Sequence, residues 1–441
     1  MKIFYGAYVC AILWACGGNE DGGGSFSGSP QQASDKEVFV SEAVTQDTVW
    51  SASYTYHLKK HIFVSGAVLT IEPGTRILGD VGSSLVVTSS ARLHAVGTEE
   101  KPIVFTSAQP VGARMPGDWG GVVLLGKAPI NVLGGVSKVE GFADGAENTS
   151  FGGQDTDHAC GNLKYVRIEF AGFELSPDNE LNALTLAGCG QKTEVDYVQM
   201  HQAADDGIEI FGGTVDVKHL LITQPDDDGL DWDFGWKGRG QYIVVQQNKV
   251  TGNMAIEADN NKNNNEALPR SEPVLYNLTL VGSGAVAQSA GKLQGGVLLR
   301  RGTGAHIFNA VFLDFADFMV DVDGISSAEQ AHKGLLGIQN SVFFSHQSLA
   351  WEETTDNDNG FLEKEYFSDP MFNNVFQQDP MLKDPLNLAQ PIFAPSLDSW
   401  VLQASKAAVP LDDGFFETSA VYIGALGSSD WTHGWASYTQ N

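Results

Sequence analysis

Seven short segments carry nearly the same pattern, and their spacing constrains the fold more than any other feature of the chain. They are Tyr165-Val-Arg-Ile-Glu-Phe170, Tyr197-Val-Gln-Met-His-Gln202, His219-Leu-Leu-Ile-Thr-Gln224, Tyr242-Ile-Val-Val-Gln-Gln247, Asn277-Leu-Thr-Leu-Val-Gly282, Asn309-Ala-Val-Phe-Leu-Asp314 and Asn340-Ser-Val-Phe-Phe-Ser345. From first residue to first residue the intervals are 32, 22, 23, 35, 32 and 31. Each segment has the length of a strand, is rich in β-branched and aromatic residues, and is set off by Gly, Asn and Asp. Such an interval marks a solenoid, whose repeats bury their apolar faces only against their neighbours.

Side chains along a strand alternate between two faces. Taking the second and fourth residues as inward gives Val166/Ile168, Val198/Met200, Leu220/Ile222, Ile243/Val245, Leu278/Leu280 and Ala310/Phe312, all apolar. The residues between them are often polar, so one-sided burial is expected. Asn277, Asn309 and Asn340 share a repeat position and predict an amide ladder from rung to rung. A second column aligns upstream: Leu184-Thr-Leu186, Ile208-Glu-Ile210, Leu230-Asp-Trp232, Ile256-Glu-Ala258 and Val297-Leu-Leu299. The pattern predicts an all-β chain, a parallel β-helix with a cap at each end to cover the open sheet edges.

Fifty glycines in 441 residues suit many tight turns. The formal charge, 26 − 54 = −28, argues against nucleic acid, which demands clustered Lys and Arg. It is compatible with divalent cations or basic partners and identifies neither.

At the N-terminus Met1-Lys2 precedes an apolar stretch from Ile3 to Ala15, too short to span a bilayer and suited to a signal-peptide core. Leu13-Trp-Ala-Cys16 resembles the bacterial lipobox. The resemblance implies a signal peptide over 1–15, lipidation of Cys16, and membrane attachment outside the cytoplasm, at an outer membrane or the cell surface. An ordinary cleaved signal or a chance apolar start are the alternatives. The Gly/Ser/acid-rich stretch that follows reads as a flexible tether over 16–44. Cys160 and Cys189 lie just ahead of neighbouring repeats and are expected to form a disulfide in an oxidising compartment; two buried thiols are the alternative.

Leu69-Thr-Ile-Glu-Pro-Gly-Thr75, Gly97-Thr-Glu-Glu-Lys-Pro-Ile-Val-Phe-Thr106, Gly117-Asp-Trp-Gly-Gly121 and Ala204-Asp-Asp-Gly207, together with the Tyr165 segment, resemble motifs of bacterial right-handed parallel β-helix lipoproteins. The resemblance spans roughly residues 45 to 435 and implies a fold and a surface location but no reaction. The β-helix is expected over 45–368, with residues 48–64 as its N-terminal cap. Beyond 369 the period fades, and 369–441 reads as a coil whose aromatic residues fold back as a C-terminal cap. Asn260 to Asn265 reads as a mobile polar loop.

The candidate chemistry lies in an acidic column. Asp205 and Asp206 precede Ile208-Glu209; Asp226, Asp227 and Asp228 precede Leu230-Asp231-Trp-Asp233; Glu257 and Asp259 flank Ala258. Aligning the aliphatics stacks Glu209, Asp231 and Glu257 at the spacing of paired strands, about 4.8 Å. Three readings stay open. Asp-Asp-Gly is turn chemistry, with Asp bonding its own backbone and Gly taking positive φ. Asp205, Asp206, Asp228, Asp231, Asp233 and Asp259 are candidate Ca²⁺ ligands. A catalytic or sugar-binding site would use Glu209, Asp231 and Glu257 with Lys237 and Arg239 as the nearest bases and Trp232 and Trp236 as a platform. This last reading follows a resemblance in architecture to pectate-type polysaccharide lyases. Arg300 and Arg301 are expected to neutralise the stack if its role is structural. His158 with Asp155 and Asp157 is a second candidate metal cluster, and His201 is expected at the surface. The functional expectation is a lipid-anchored structural or surface-binding protein directed at polysaccharide; the rival is a polysaccharide lyase or glycoside hydrolase.

Overall fold

The computed structural model describes residues 36–139, 142, 149–176, 179–284, 293–351 and 357–440. The stretch read as a signal peptide, Cys16 and the part of the expected tether up to residue 35 lie outside these residues.

The first residue of each repeat is a corner. Tyr165, Tyr197, His219, Tyr242, Asn277, Asn309 and Asn340 all have φ between 48° and 62°, a region that Asn tolerates and most residues avoid. The bend divides each long strand between two faces. In Gly161–Glu169, the residues before Tyr165 pair with Arg92–Val96, and those after it pair with Ile103–Ser107. A third face comes from the upstream column, which includes Ser84–Val87, Val122–Leu125, Leu184–Ala187, Ile208–Phe211, Leu230–Asp233, Met254–Ala258 and Gly295–Leu299. Pairing between rungs is parallel throughout these columns. The chain is a parallel β-helix.

Tyr has little intrinsic tolerance for the left-handed corner, and the Tyr and His rings stack there. Ring centroids lie 4.5 Å apart for Tyr165–Tyr197, 4.0 Å for Tyr197–His219 and 4.7 Å for His219–Tyr242. Stacking of about 1 kcal/mol per pair offsets much of the backbone cost. Inside the solenoid the expected residues, Val166 through Phe312, are all buried in one continuous core. Trp232 lies between Ile210 and Ala258 on neighbouring rungs, a large side chain admitted beside a small one.

Burial is two-sided, contrary to the expectation. Leu221, Val244, Val281, Val311 and Val342, on the outer face of the long sheet, form a second core with Phe393, Trp400, Val401, Ile423, Leu426 and Trp435. The C-terminal segment is therefore a strap along the side of the solenoid and not only an end cap. Backbone carbonyls of the strap accept side-chain bonds along the sheet: Asn340 to Lys406, Asn309 to Ala408, Asn277 to Tyr422, Gln199 to Ser437 and Arg167 to Trp435. These bonds replace the expected amide ladder, because a left-handed corner points its amide out toward the strap. His201 is buried by the same covering: Nδ1 meets Thr223 Oγ1 at 2.8 Å, and Nε2 meets the Thr439 carbonyl at 3.0 Å.

Other features refine the sequence reading. Glu37–Val40, inside the stretch read as tether, is already a strand paired with Thr55–Leu58. Cys160 and Cys189 form the disulfide, with Cα atoms 5.8 Å apart. Asn260 and Asn261 are buried in a network with Asn131, Ala267 and Ser271, so the stretch read as mobile is tied down at its start.

Candidate functional site

The acidic column forms in the expected register. Thr185, Glu209, Asp231 and Glu257 are successive partners across four strands of the third face. The aliphatics flanking each carboxylate point into the core, so alternation forces the carboxylates onto the outer face. Asp233 follows Asp231 at the next outward position, and Asp259 follows Glu257 in the same way.

A cleft of about 180 Å³ lies over this face, lined by Glu209, Asp231, Asp233, Glu257 and Asp259 among others. Its roof belongs to an insertion that leaves the solenoid after Leu125 and returns at Cys160. Ser137–Lys138 and Ser150–Phe151 pair antiparallel there, and Lys138, Val139 and Phe151 reach the cleft. Lys262 and Arg301 line it from another side.

The carboxylates have unequal surroundings. Arg300 bonds to Glu257 and, through Nε at 2.9 Å, to Asp259, while Arg301 also binds Asp259. The expected neutralisation by this arginine pair is present at the Glu257 end. Glu209 accepts a 2.6 Å bond from Asn182 Nδ2. Asp231 Oδ1 is buried and has no hydrogen-bond partner among the described residues. Burial, reinforced by Glu209, Glu257, Asp259 and Asp228, pushes the Asp231 carboxyl well above the usual range. Burial also raises Asp233 to about 7, with Asp259 adding to it. Glu257 rises to about 7 because burial and the adjacent acids outweigh the attraction of Arg300.

Asp206 and Asp228 are pushed up by burial and neighbouring acids as well. They also serve the fold, but not as local turns. Asp206 Oδ1 accepts the Asp228 N–H at 3.0 Å, and Asp228 Oδ1 accepts the Met254 N–H at 2.5 Å, so each ties one rung to the next. The glycines that follow are required for packing and not for positive φ. A Cβ on Gly207 would lie 2.4 Å from Ile222 Cγ2, and one on Gly229 would lie 2.5 Å from Val245 Cγ1.

Oxygens of Asp206, Glu209 and Asp231 lie within 4.8 Å of one another, as do those of Asp228, Asp231 and Glu257 and those of Asp205, Asp206 and Asp227. These buried acidic clusters could hold a metal ion. Hard oxygen donors at that separation match the needs of a divalent cation, and Asp231, the residue common to two of the sets, also carries the unpartnered Oδ1.

Other candidates lie elsewhere. Trp232 and Trp236 are fully buried inside the solenoid, with indole N–H groups bonded to Thr303 and to the Val215 carbonyl, so neither offers a sugar platform. Lys237 pairs with Glu272 at 3.0 Å, and Arg239 pairs with Asp216 and with Asp413 of the strap. Both have passed the corner onto another face. His158 has Asp155 at 3.6 Å, but Asp157 pairs with Lys192, and Lys127 and Arg92 act on the His158 ring, a cationic setting unsuited to a metal. The reading from sequence missed Asn182, although Asn182-Ala-Leu184 aligns with Asp206-Gly-Ile208 and Asp228-Gly-Leu230 and would have revealed it. Lys138, Lys262 and the roof gave no comparable signal, since insertions interrupt the repeat.

The model of the pectate-lyase-like β-helix domain matches residues 42–375, and the chain belongs to this family. The match ends at the last strand of the long sheet, Val375–Phe376, so the strap lies beyond it. No curated protein and no solved structure matches the chain.

Proposed function

We propose that this member of the pectate-lyase-like β-helix family is a cation-stabilised, polysaccharide-binding protein held outside the cytoplasm by acyl chains on Cys16, and that it does not cleave the polymer it holds. One observation carries the reading: the acidic column is roofed by the paired segments Ser137–Lys138 and Ser150–Phe151 and balanced by Arg300 and Arg301, in place of an open groove with an aromatic platform. The Cys160–Cys189 disulfide supports an oxidising compartment, and Leu13-Trp-Ala-Cys16 supports the anchor.

The donor set fits Ca²⁺, which takes six to eight oxygens. Asp231 would hold it with Asp206 and Glu209, or with Asp228 and Glu257. A bound cation would offset the burial and mutual repulsion that raise the Asp206, Asp228, Asp231 and Glu257 carboxyls. Calcium at about one hundred times its Kd is expected to stabilise the fold by about 2.7 kcal/mol. Thermal melts at pH 8 with CaCl₂ or chelator check this. Asp231→Asn should abolish the difference; an equal calcium response in that variant would remove the site from consideration.

A second reading, a polysaccharide lyase or glycoside hydrolase, is favoured by two observations. Asp233 and Glu257 titrate near 7, where a general acid works best, and Lys262 and Arg301 share their cleft. The release of cleavage products distinguishes the two.

A further inference from the structure

The third face of the solenoid ends at Phe318–Asp321, and two short helices follow, Ile325–His332 and Glu363–Phe367. Ala328, Ala331, Phe361 and Phe367 belong to the continuous core, so this part of the chain covers its last rungs. Side-chain bonds fix the helices in place. Tyr366 Oη donates to the Ala331 carbonyl at 2.7 Å, which ties the second helix to the end of the first. Glu363 Oε1 accepts the Val322 N–H at 3.1 Å, just past the last strand of the third face. The chain enters the second helix through a tight turn, with Asn359 and Gly360 at φ 68° and 78°. Asp358 Oδ1 closes that turn by accepting the Gly360 N–H at 2.7 Å.

These constraints leave a cavity of about 370 Å³ lined by the rings of His332, Phe361 and Tyr366, by Leu362, and by Asp358 and Glu365. The rings are inclined to one another. Phe361 stands at 65° to His332 with centroids 5.4 Å apart, and at 52° to Tyr366 with centroids 5.0 Å apart. Parallel stacking would close the space between rings, whereas inclined rings form the walls of a hollow. No Lys or Arg lines it among the described residues, and neither Asp358 nor Glu365 is ion-paired among them.

We infer that this cavity binds a quaternary ammonium group, its methyls against the rings and Leu362 and its charge balanced by Asp358 and Glu365. Aromatic faces attract a cation through their quadrupole, and two carboxylates without a cationic partner add to that attraction. Hydrogen bonding selects the kind of cation. A primary ammonium brings three N–H donors that need acceptors. Here Asp358 is engaged in its own turn and Glu365 is exposed, while rings and an aliphatic chain form most of the wall. A quaternary ammonium has no N–H to satisfy, and a neutral group of the same shape would forgo the charge terms. The volume falls in the range of small-molecule sites. No residue lines both this cavity and the acidic cleft, so the inference stands apart from the function proposed above.

Titration calorimetry of the full chain at pH 8 with choline, its neutral tert-butyl isostere and ethanolamine tests it. The isostere keeps the shape of choline without the charge, and ethanolamine keeps the charge without the methyls. Choline should bind at least tenfold more tightly than either. Glu365→Gln should weaken choline about threefold and leave the isostere unchanged, and His332→Ala should weaken choline about threefold through the lost ring. Both side chains are exposed, so the melting temperature should hold in each variant. Choline no tighter than its isostere, ethanolamine as tight as choline, or undiminished choline binding in either variant would overturn the assignment.

Discussion

A chain ending at Gln377 is expected to be insoluble, or to bind hydrophobic dye strongly and melt without a cooperative transition. The truncation keeps every strand of the long sheet but strips its outer face, exposing Leu221, Val244, Val281, Val311, Leu313 and Val342 together. A continuous apolar stripe on a parallel sheet is an aggregation surface. The corner amides of Asn277, Asn309 and Asn340 would also lose their backbone partners. A milder version tests the same contact. Trp435 is buried edge-on against Tyr165 and Tyr197, and Trp435→Ala should cost about 3–5 kcal/mol in denaturant unfolding. A truncated chain that stays monomeric with an unchanged melt would show the strap to be ornamental.

The second large effect is expected at Arg300. Arg300→Ala leaves Glu257 and Asp259 buried together without their shared cation. Removing one partner of such a cluster costs about 3 kcal/mol or more, and pH should control the loss. Carboxyls raised in the fold bind more protons there than when unfolded, so stability falls as pH rises from the unfolded value near 4 through the folded value. For Glu257 and Asp233 that folded value is about 7. The deficit of Arg300→Ala should therefore be smaller at pH 5, where Glu257 carries its proton, and full at pH 8. Calcium should restore part of it at pH 8 only. Melts of both proteins across that range check the sign, and a deficit equal at both ends would show that Arg300 acts through packing.

The fold was legible because each rung repeats the same burial problem, which wrote the inward aliphatics into the sequence at fixed positions. The column Glu209, Asp231, Glu257 was legible for the same reason, since strand register follows from aligned aliphatics. The strap was not legible. Its partners lie far away in sequence, as with Arg167 and the Trp435 carbonyl, 268 residues apart, and it docks largely as irregular chain without a period. The misplacement of Lys237 and Arg239 has a local cause. Few residues separate them from Asp233, but the chain turns a corner in between, so proximity in sequence put them on the wrong face. The glycines of Asp206-Gly207 and Asp228-Gly229 were misread because their constraint comes from Ile222 and Val245, on a different strand from the glycine in each case. Trp232 was misread because an indole was assigned a role before its register, which places it inward beside Ala258, was taken into account.

We propose that the acidic column serves cation binding and stability, not bond cleavage. The most direct test incubates the full chain with acidic and neutral polysaccharides, with and without CaCl₂, and follows both retention on the polymer and the appearance of unsaturated or reducing ends. Retention without new ends, in every buffer, is the predicted result. New ends that require calcium and disappear in Asp231→Ala and Glu209→Ala would contradict it and identify the cleft as catalytic.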